Sequence, residues 1–439
     1  MIRPYPIAAF ACITTVAACG AAPQSATAPA APAQPETGLP APAGATPAAG
    51  APQPVSSLPP PTSAAEAKPQ VQITPPSAEG NPFMGAHFYV DPAYVAKVES
   101  SIKDSPADAA LLKKVESFPT AIWLDSIKRV SSVSKTLDDA MAQEAHDKKG
   151  GQPVVTVFAV YDLPDRDCAA AASNGELTVA GGGEKRYQKE FIDKIAAAFK
   201  AHPKQRIVAV VEPDSLPNIA TNMSVAKCAA AESAYRHSIA YAVKSLAMPN
   251  VSLYLDAAHA GWLGWSKNRE KISKIFSEVL AEAGGADKIR GFATNVANYD
   301  TLTPGDLPKL EPTDPSPDEL TYVKILDASL SEAGITGKAF LIDTSRNGRA
   351  GIRTKSGSWC NVKGAGLGER PQASPAPFID AYYWIKPPGD AYGGSDPSKP
   401  GFDENCGPKA PDSEQGSPRA GAWFGKYFVE LAKNANPGL

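Results

Sequence analysis

Histidine and cysteine are scarce in this chain: five of the former and six of the latter in 439 residues. The cysteines (Cys12, Cys19, Cys168, Cys228, Cys360 and Cys406) form no C-x-x-C pair and no metal-type cluster with histidine. That spacing gives no reason to expect a metal or an organic cofactor. Net charge is only −3, and no basic stripe interleaved with aromatics occurs, so nucleic acid is excluded as a partner. Long hydrophobic runs are missing too. The run at 7–16 is too short to span a bilayer. Tryptophan is rare, with six in all, so the position of each carries information.

What is present begins with an export signature. Arg3 precedes the apolar run 7–16, and Val16-Ala17-Ala18-Cys19 follows it, which together read as a signal peptide over 1–19. The same four residues resemble a bacterial lipobox, with Cys19 as the lipidated first residue. Simple cleavage at a small-residue site is the alternative, and Cys12 is removed on either reading. The last four cysteines are widely spread in loop or helix-start contexts, as two structural disulfides of an exported protein would be. Residues 20–79 hold 15 of the 43 prolines and one basic residue, Lys68. Such a segment cannot bury a core and reads as a disordered, semi-extended linker. The folded domain is expected over 80–439.

That domain is organised around residues 154–214. Two apolar, β-branched runs, 154–160 and 207–211, read as fully buried parallel strands. Each stops at a polar turn with a carboxylate, Asp167 after the first and Asp214 after the second. Either these acids cap the helices that follow, or they serve acid/base chemistry at a strand-end rim. Further strands are expected at 83–89, 121–124, near 251–256, in IRGFATNVANY, at 339–343 and at 381–386. Helices are expected at 94–101, 107–115, 137–146, 186–199, 226–246, 271–283, 322–333 and 422–433. This repeated strand–loop–helix rhythm predicts an α/β barrel. Its strands end in Asp167, Asp214, Asp256 with His259, Asn295 with Asn298, Asp343 with Arg346, and Lys386. One polar ending is a cap; six in register are a rim built for a ligand.

The ordered motifs AIWLD, YDLPDRDCAAAASNGE, VEPDSLPN, YLDAAHAGWLGW, GFATNVANY, FLIDTSRNG, WCNV, YYWIKPPGD and RAGAWFGKYF together resemble glycoside hydrolase family six, the inverting cellulases. The cellobiohydrolase branch is the nearest match. The resemblance implies a distorted, roughly seven-stranded parallel β/α barrel with roofing loops over its C-terminal rim. Asp214 matches the general acid, and Asp167 the carboxylate that raises the acid's pKa and helps take up the water proton. Asp256 matches a further rim carboxylate. Tyr161 and Arg166 match groups that press on the distorted sugar and orient the carboxylates, and Ser173 a residue that positions the attacking water. Trp123, Trp262, Trp265 and Trp359 match sugar platforms, while Lys386 and His259 match polar sugar contacts; Asn295, a polar ending of the rim, is expected to contact substrate as well. Trp384 and Trp423 lie in strand and helix contexts and read as core. The family's two disulfides match Cys168–Cys228 and Cys360–Cys406. Cellulose or another β-glucan is the implied partner, bound by a monomer.

One departure stands out. The family reads K-P-x-G-E-x-D-G after the last strand, the final Asp being the proposed base; here Asp390 replaces the Glu and Tyr392 stands in place of the Asp. A phenol with an ordinary pKa near 10 is a poor base at neutral pH. Three readings follow, in order: Asp167 takes the proton through water; Asp390 substitutes; or catalysis is crippled and the protein is a glucan-binding lipoprotein. The loops at 169–186 and 389–418 have the length that roofs a tunnel in cellobiohydrolases, which favours release of cellobiose from chain ends over endo cleavage.

Overall fold

The computed structural model describes residues 80–146 and 152–439. The expected export signal, with Cys12 and Cys19, and the expected linker over 20–79 lie outside the described residues.

One curled sheet carries the domain. Its strands are β1 (His87–Phe88), β2 (Ile122–Leu124), β3 (Val154–Val160), β4 (Arg206–Val211), β5 (Val251–Asp256), β6 (Gly291–Thr294), β7 (Ala339–Asp343), β8 (Gln372–Ala376) and β9 (Ile379–Tyr383). β1 and β2 share one edge of β3: His87 sits opposite Val154, and Leu124 opposite Val160. From β3 the order runs β4, β5, β6, β7, β9, all parallel, and β8 closes the far edge antiparallel to β9. Among the described residues β2 through β7 with β9 give seven parallel strands, and the two-residue β1 adds a further parallel pairing on the edge of β3 that β2 also uses. The barrel is drawn together by single contacts rather than by a ladder. Ala121 N donates to Trp384 O (3.1 Å), and Trp123 Nε1 to Ile385 O (2.8 Å), which sets β2 beside the chain leaving β9.

Side-chain alternation explains why β3 and β4 are apolar throughout. Val155, Val157, Val208 and Val210 point into the barrel with Tyr254, Leu341 and Tyr383. Val154, Phe158, Val160, Ile207, Ala209 and Val211 point outward beneath the helices, among them Ala226–Leu246 and Ser266–Ala283. A strand covered on both faces needs apolar residues at every position. At β6 the strands come so close that a Cβ on Gly291 would lie 1.8 Å from Ala339 O, so no side chain fits there.

The expected elements are present with shifted ends. Residues 81–85 turn instead of extending, because Asn81 Oδ1 accepts from Phe83 N (2.9 Å). Helix Pro92–Asp104 starts earlier than its apolar pattern, capped by Asp91 on Ala93 N. Asp318 likewise caps Glu319–Glu332 through Thr321 N (2.7 Å). β8 and the short helix Ser215–Thr221 are additions to the expected pattern, and the last strand ends at Tyr383 rather than at 386. Both disulfides, Cys168–Cys228 and Cys360–Cys406, are formed.

Candidate active site

The strands deliver their acids on strained backbone. Asp165 and Asp167 after β3, and Glu212 and Asp214 after β4, all have φ between 52° and 62°. A non-glycine residue in this left-handed region costs on the order of 1–2 kcal/mol, and such strain gathers at functional sites. Asp167 and Asp214 are both half-buried, and the charge of Asp167 reaches Asp214. Tyr161 and Tyr392 each feel the charge of both carboxylates.

Asp214 opens helix Ser215–Thr221, and its carbonyl accepts from Asn218 Nδ2 (2.6 Å). Its side chain caps nothing in that helix, so the capping alternative does not describe it. Burial is the largest cause holding its carboxyl well above the ordinary range; the charges of Asp256 and then Asp167 add to it, and Lys386 opposes. Asp256, at the end of β5, lies directly behind: its Oδ2 accepts from Asp214 N (3.0 Å) and Ala258 N (3.3 Å). Burial pushes Asp256 up to about 7. Of the two companion acids, Asp256 is therefore the stronger influence on Asp214, ahead of the Asp167 that the family pattern singles out.

Asp167 is also raised by burial, against Lys227, the Ser173 backbone N–H and Arg166, which favour its ionised form. Arg166 organises this side of the rim. Its Nε donates to Ser173 O (2.8 Å) and its Nη1 to Asp125 O (2.8 Å) and Tyr161 O, with Cζ 4.4 Å above the Tyr161 ring. Lys227 Nζ donates to Arg166 O (3.2 Å) and to Asn174 Oδ1. The Cys168–Cys228 bridge ties the same turn to helix Ala226–Leu246. The second roofing loop grips the first: Asp403 Oδ2 accepts from Ala171 N (2.9 Å) and Ala172 N (3.0 Å).

Four half-buried tryptophans come from strands other than β3 and β4 and from the segments after them: Trp123 in β2, Trp262 and Trp265 after β5, and Trp359 after β7. Trp123 stands edge-on to Tyr161 (5.2 Å between centroids), with Lys386 Nζ 4.9 Å over its ring. Trp359 stands edge-on to Tyr392 (5.1 Å). Trp262 bonds Thr221 Oγ1 through Nε1 (2.8 Å), and Trp265 reaches Thr313 Oγ1 (3.4 Å). Indoles whose N–H is anchored leave a ring face for a pyranose. Trp384 is fully buried, and Trp423 packs on Tyr94 and Phe428, so both belong to the core.

Three expected residues take other places. Asn295 is fully buried: Nδ2 donates to Asp300 O and Asp343 O (2.9 Å each), and Oδ1 accepts from Asp300 N (3.1 Å). Its amide is spent on the backbone of Asp300 and of the last residue of β7, which corrects the expected sugar contact. Asp390 is ion-paired to Lys97 (2.7 Å). Tyr392 donates its phenolic proton to Ala297 O and lies against Arg346 (4.8 Å, Cζ to ring centroid) and Lys386 (5.5 Å). Burial, with Asp214 next, holds the Tyr392 phenol well above its ordinary value.

Sequence reasoning passed over Asp300, Arg353, Asp403 and Lys227. Their partners lie 232 residues away for Asp403 with Ala171 and 53 for Arg353 with Asp300, so no local motif marks them. His259, Asp300 and Glu319 bring ligand-type atoms within 4.8 Å of one another. Asp300 already accepts from His259, Gly261 and Arg353, and Glu319 Oε1 from Ala260 N, so these oxygens are engaged by the protein itself.

Comparison with known proteins agrees with this geometry. The sequence profile described as glycosyl hydrolases family 6 matches residues 83–435. Exoglucanase 3 of Agaricus bisporus is 41% identical over 366 residues, 83% of this chain and 81% of that one. The 1,4-beta-D-glucan cellobiohydrolase C of Emericella nidulans is 40% identical over 374 residues, 83% of this chain and 80% of its own. Among solved structures, cellobiohydrolase II (Cel6A) of Humicola insolens in complex with glucose and cellotetraose superposes with a TM-score of 0.78 at 37% identity, covering 82% of this chain and all of that one. With its barrel, its paired rim acids and this similarity over most of its length, the chain belongs to glycosyl hydrolases family 6 and is a glycoside hydrolase of the cellulase type.

Proposed function

We propose that this protein is an exported β-1,4-glucanase that hydrolyses cellulose or a related β-glucan with inversion. The observation that carries the reading is Asp214 at the end of β4, held against Asp256 by its backbone N–H and kept protonated by burial and by Asp256 and Asp167, on a rim that also carries four half-buried tryptophans. A neutral carboxyl at the operating pH is what a general acid requires. Asp214 gives its proton to the glycosidic oxygen as the bond to the anomeric carbon breaks. A water attacks that carbon from the opposite face, and its proton passes through water to Asp167. Tyr392 is no base, since its own proton is held on Ala297 O. Asp390 is engaged by Lys97, which favours the Asp167 route over direct substitution by Asp390.

The grip of Asp403 on the first roofing loop supports a covered tunnel, hence exo action and release of cellobiose. Residues 1–19 serve as the export signal, with or without lipid on Cys19. Residues 20–79 serve as a tether, and 80–439 as the catalytic domain, acting as a monomer outside the cell. Similarity to an exoglucanase and a cellobiohydrolase supports the same reading. The test is a product profile on cellohexaose followed by NMR. Cellobiose with the α anomer formed first is expected. An initial β anomer overturns inversion, and an early spread of oligomers overturns exo action.

A further inference from the structure

We propose that Asp300, braced by Arg353, is a positioning residue that fixes His259 with its Nε2 facing the groove, as acceptor for a hydroxyl of the departing sugar. The proposal rests on Asp214 being the acid. Around the rim the order is Trp123 at β2, Asp167 after β3, Asp214 after β4, then His259 and Trp262 after β5. The acid thus stands between the water-handling carboxylate and the Trp262 platform, which places the sugar over Trp262 on the departing side.

Asp300 is completely buried, and both of its oxygens are committed. Oδ1 accepts from Arg353 Nη2 (2.6 Å), a side chain only 2% exposed. Oδ2 accepts from Gly261 N (2.9 Å) and meets His259 Nδ1 at 2.6 Å. Burial works against its ionisation, but Arg353 and His259 outweigh burial and hold the carboxyl below the usual range. An ionised carboxylate can only accept, so the shared proton belongs to Nδ1. In the neutral ring, Nε2 is then a bare acceptor.

The surroundings hold that ring in place. The His259 side chain is 19% exposed, and its ring centroid lies 5.9 Å from that of Trp262. Trp262 in turn is bonded to Thr221, in the helix that Asp214 opens. A Cβ on Gly261 would lie 3.2 Å from Asp300 Oδ2 and 3.7 Å from His259 Cε1, so the backbone closes the third side. The result is a rigid line, Arg353–Asp300–His259, ending beside the departing sugar and linked through Trp262 to the acid's own helix. Its effect falls on substrates whose leaving group carries hydroxyls.

Two measurements decide it. The first is ¹⁵N–¹H NMR of the five histidines in the wild-type protein at pH 8, with His259 identified by the signal lost in His259→Gln. The Nδ1–H tautomer is expected for His259; an Nε2–H tautomer overturns the proposal, and this arm needs no Asp300 variant to fold. The second compares Asp300→Asn on cellotetraose and on nitrophenyl β-cellobioside, whose departing ring lacks the hydroxyls. A loss of about 10- to 100-fold in kcat/KM on cellotetraose, the size of a charge-assisted contact, with less than about threefold loss on the aryl substrate, supports it. Equal losses on both mean a structural role only and overturn it. Failure of the acid assignment shows separately, as cellotetraose cleavage that persists in Asp214→Asn.

Discussion

Replacing Asp256 by Asn should stabilise the protein at pH 8 and leave it unchanged at pH 4. Asp256 is buried, and its folded carboxyl is raised to about 7, against roughly 3.9 in an unfolded chain. A raised acid binds more protons folded than unfolded, so its contribution to stability falls as pH rises. The penalty is absent below the unfolded value and complete above the folded one. Three units at about 1.4 kcal/mol each give a penalty on the order of 4 kcal/mol at pH 8. Asn can remove it at little cost. Oδ2 accepts from Asp214 N and Ala258 N, a role the amide oxygen keeps, while Oδ1 is buried without a hydrogen-bond partner. For a domain of ~360 residues, an unfolding entropy of roughly 2 cal/mol/K per residue converts this to a Tm rise of about 5 °C. Activity should move the other way. Without the Asp256 charge, Asp214 ionises at lower pH, so the alkaline limb of kcat shifts toward acid. Calorimetry of both proteins from pH 4 to pH 8 is the assay. A Tm difference that does not change with pH, or a variant less stable at pH 8, refutes the reasoning.

Tyr392→Phe should retain kcat within a few-fold, because the phenol is a donor to Ala297 O rather than a base; a loss beyond about 100-fold in steady-state kinetics would return the phenol to the proton path. Tyr392→Asp, measured alongside, should raise kcat if the native proton route is the slow step. Asp403→Ala frees Ala171 N and Ala172 N, and should raise the fraction of reducing ends left on insoluble cellulose, read by fractionating the products. Reduction of Cys168–Cys228 and Cys360–Cys406, which close 60- and 46-residue separations, should cost about 4 kcal/mol each by loop entropy, read as a lower midpoint in guanidinium with reductant.

The parts of the fold legible in the sequence were those written locally. β3 and β4 are continuous apolar runs because both faces are covered, and Ala226–Leu246 carries its own helical stripe. β8 was not legible: QASPA mixes exposed with half-buried residues, contains a proline and pairs on one edge only. Helix Ser215–Thr221 hides behind its own proline and asparagine. In the site, Asp167 and Asp214 stand out because each ends an obvious strand. Asp300, Arg353 and Asp403 did not, because their meaning lies in contacts far along the chain. Asn295 shows the opposite failure. A polar residue at a strand end reads as a ligand contact, yet its amide is consumed by the backbone of Asp300 and of Asp343 at the end of β7.

The most direct measurement is release of reducing sugar by Asp214→Asn beside the wild type, with binding to cellulose recorded on the same preparations. Loss of a proton donor should lower kcat by about 10²- to 10⁴-fold while binding through the tryptophans persists. A variant that hydrolyses glucan at the wild-type rate would contradict the account.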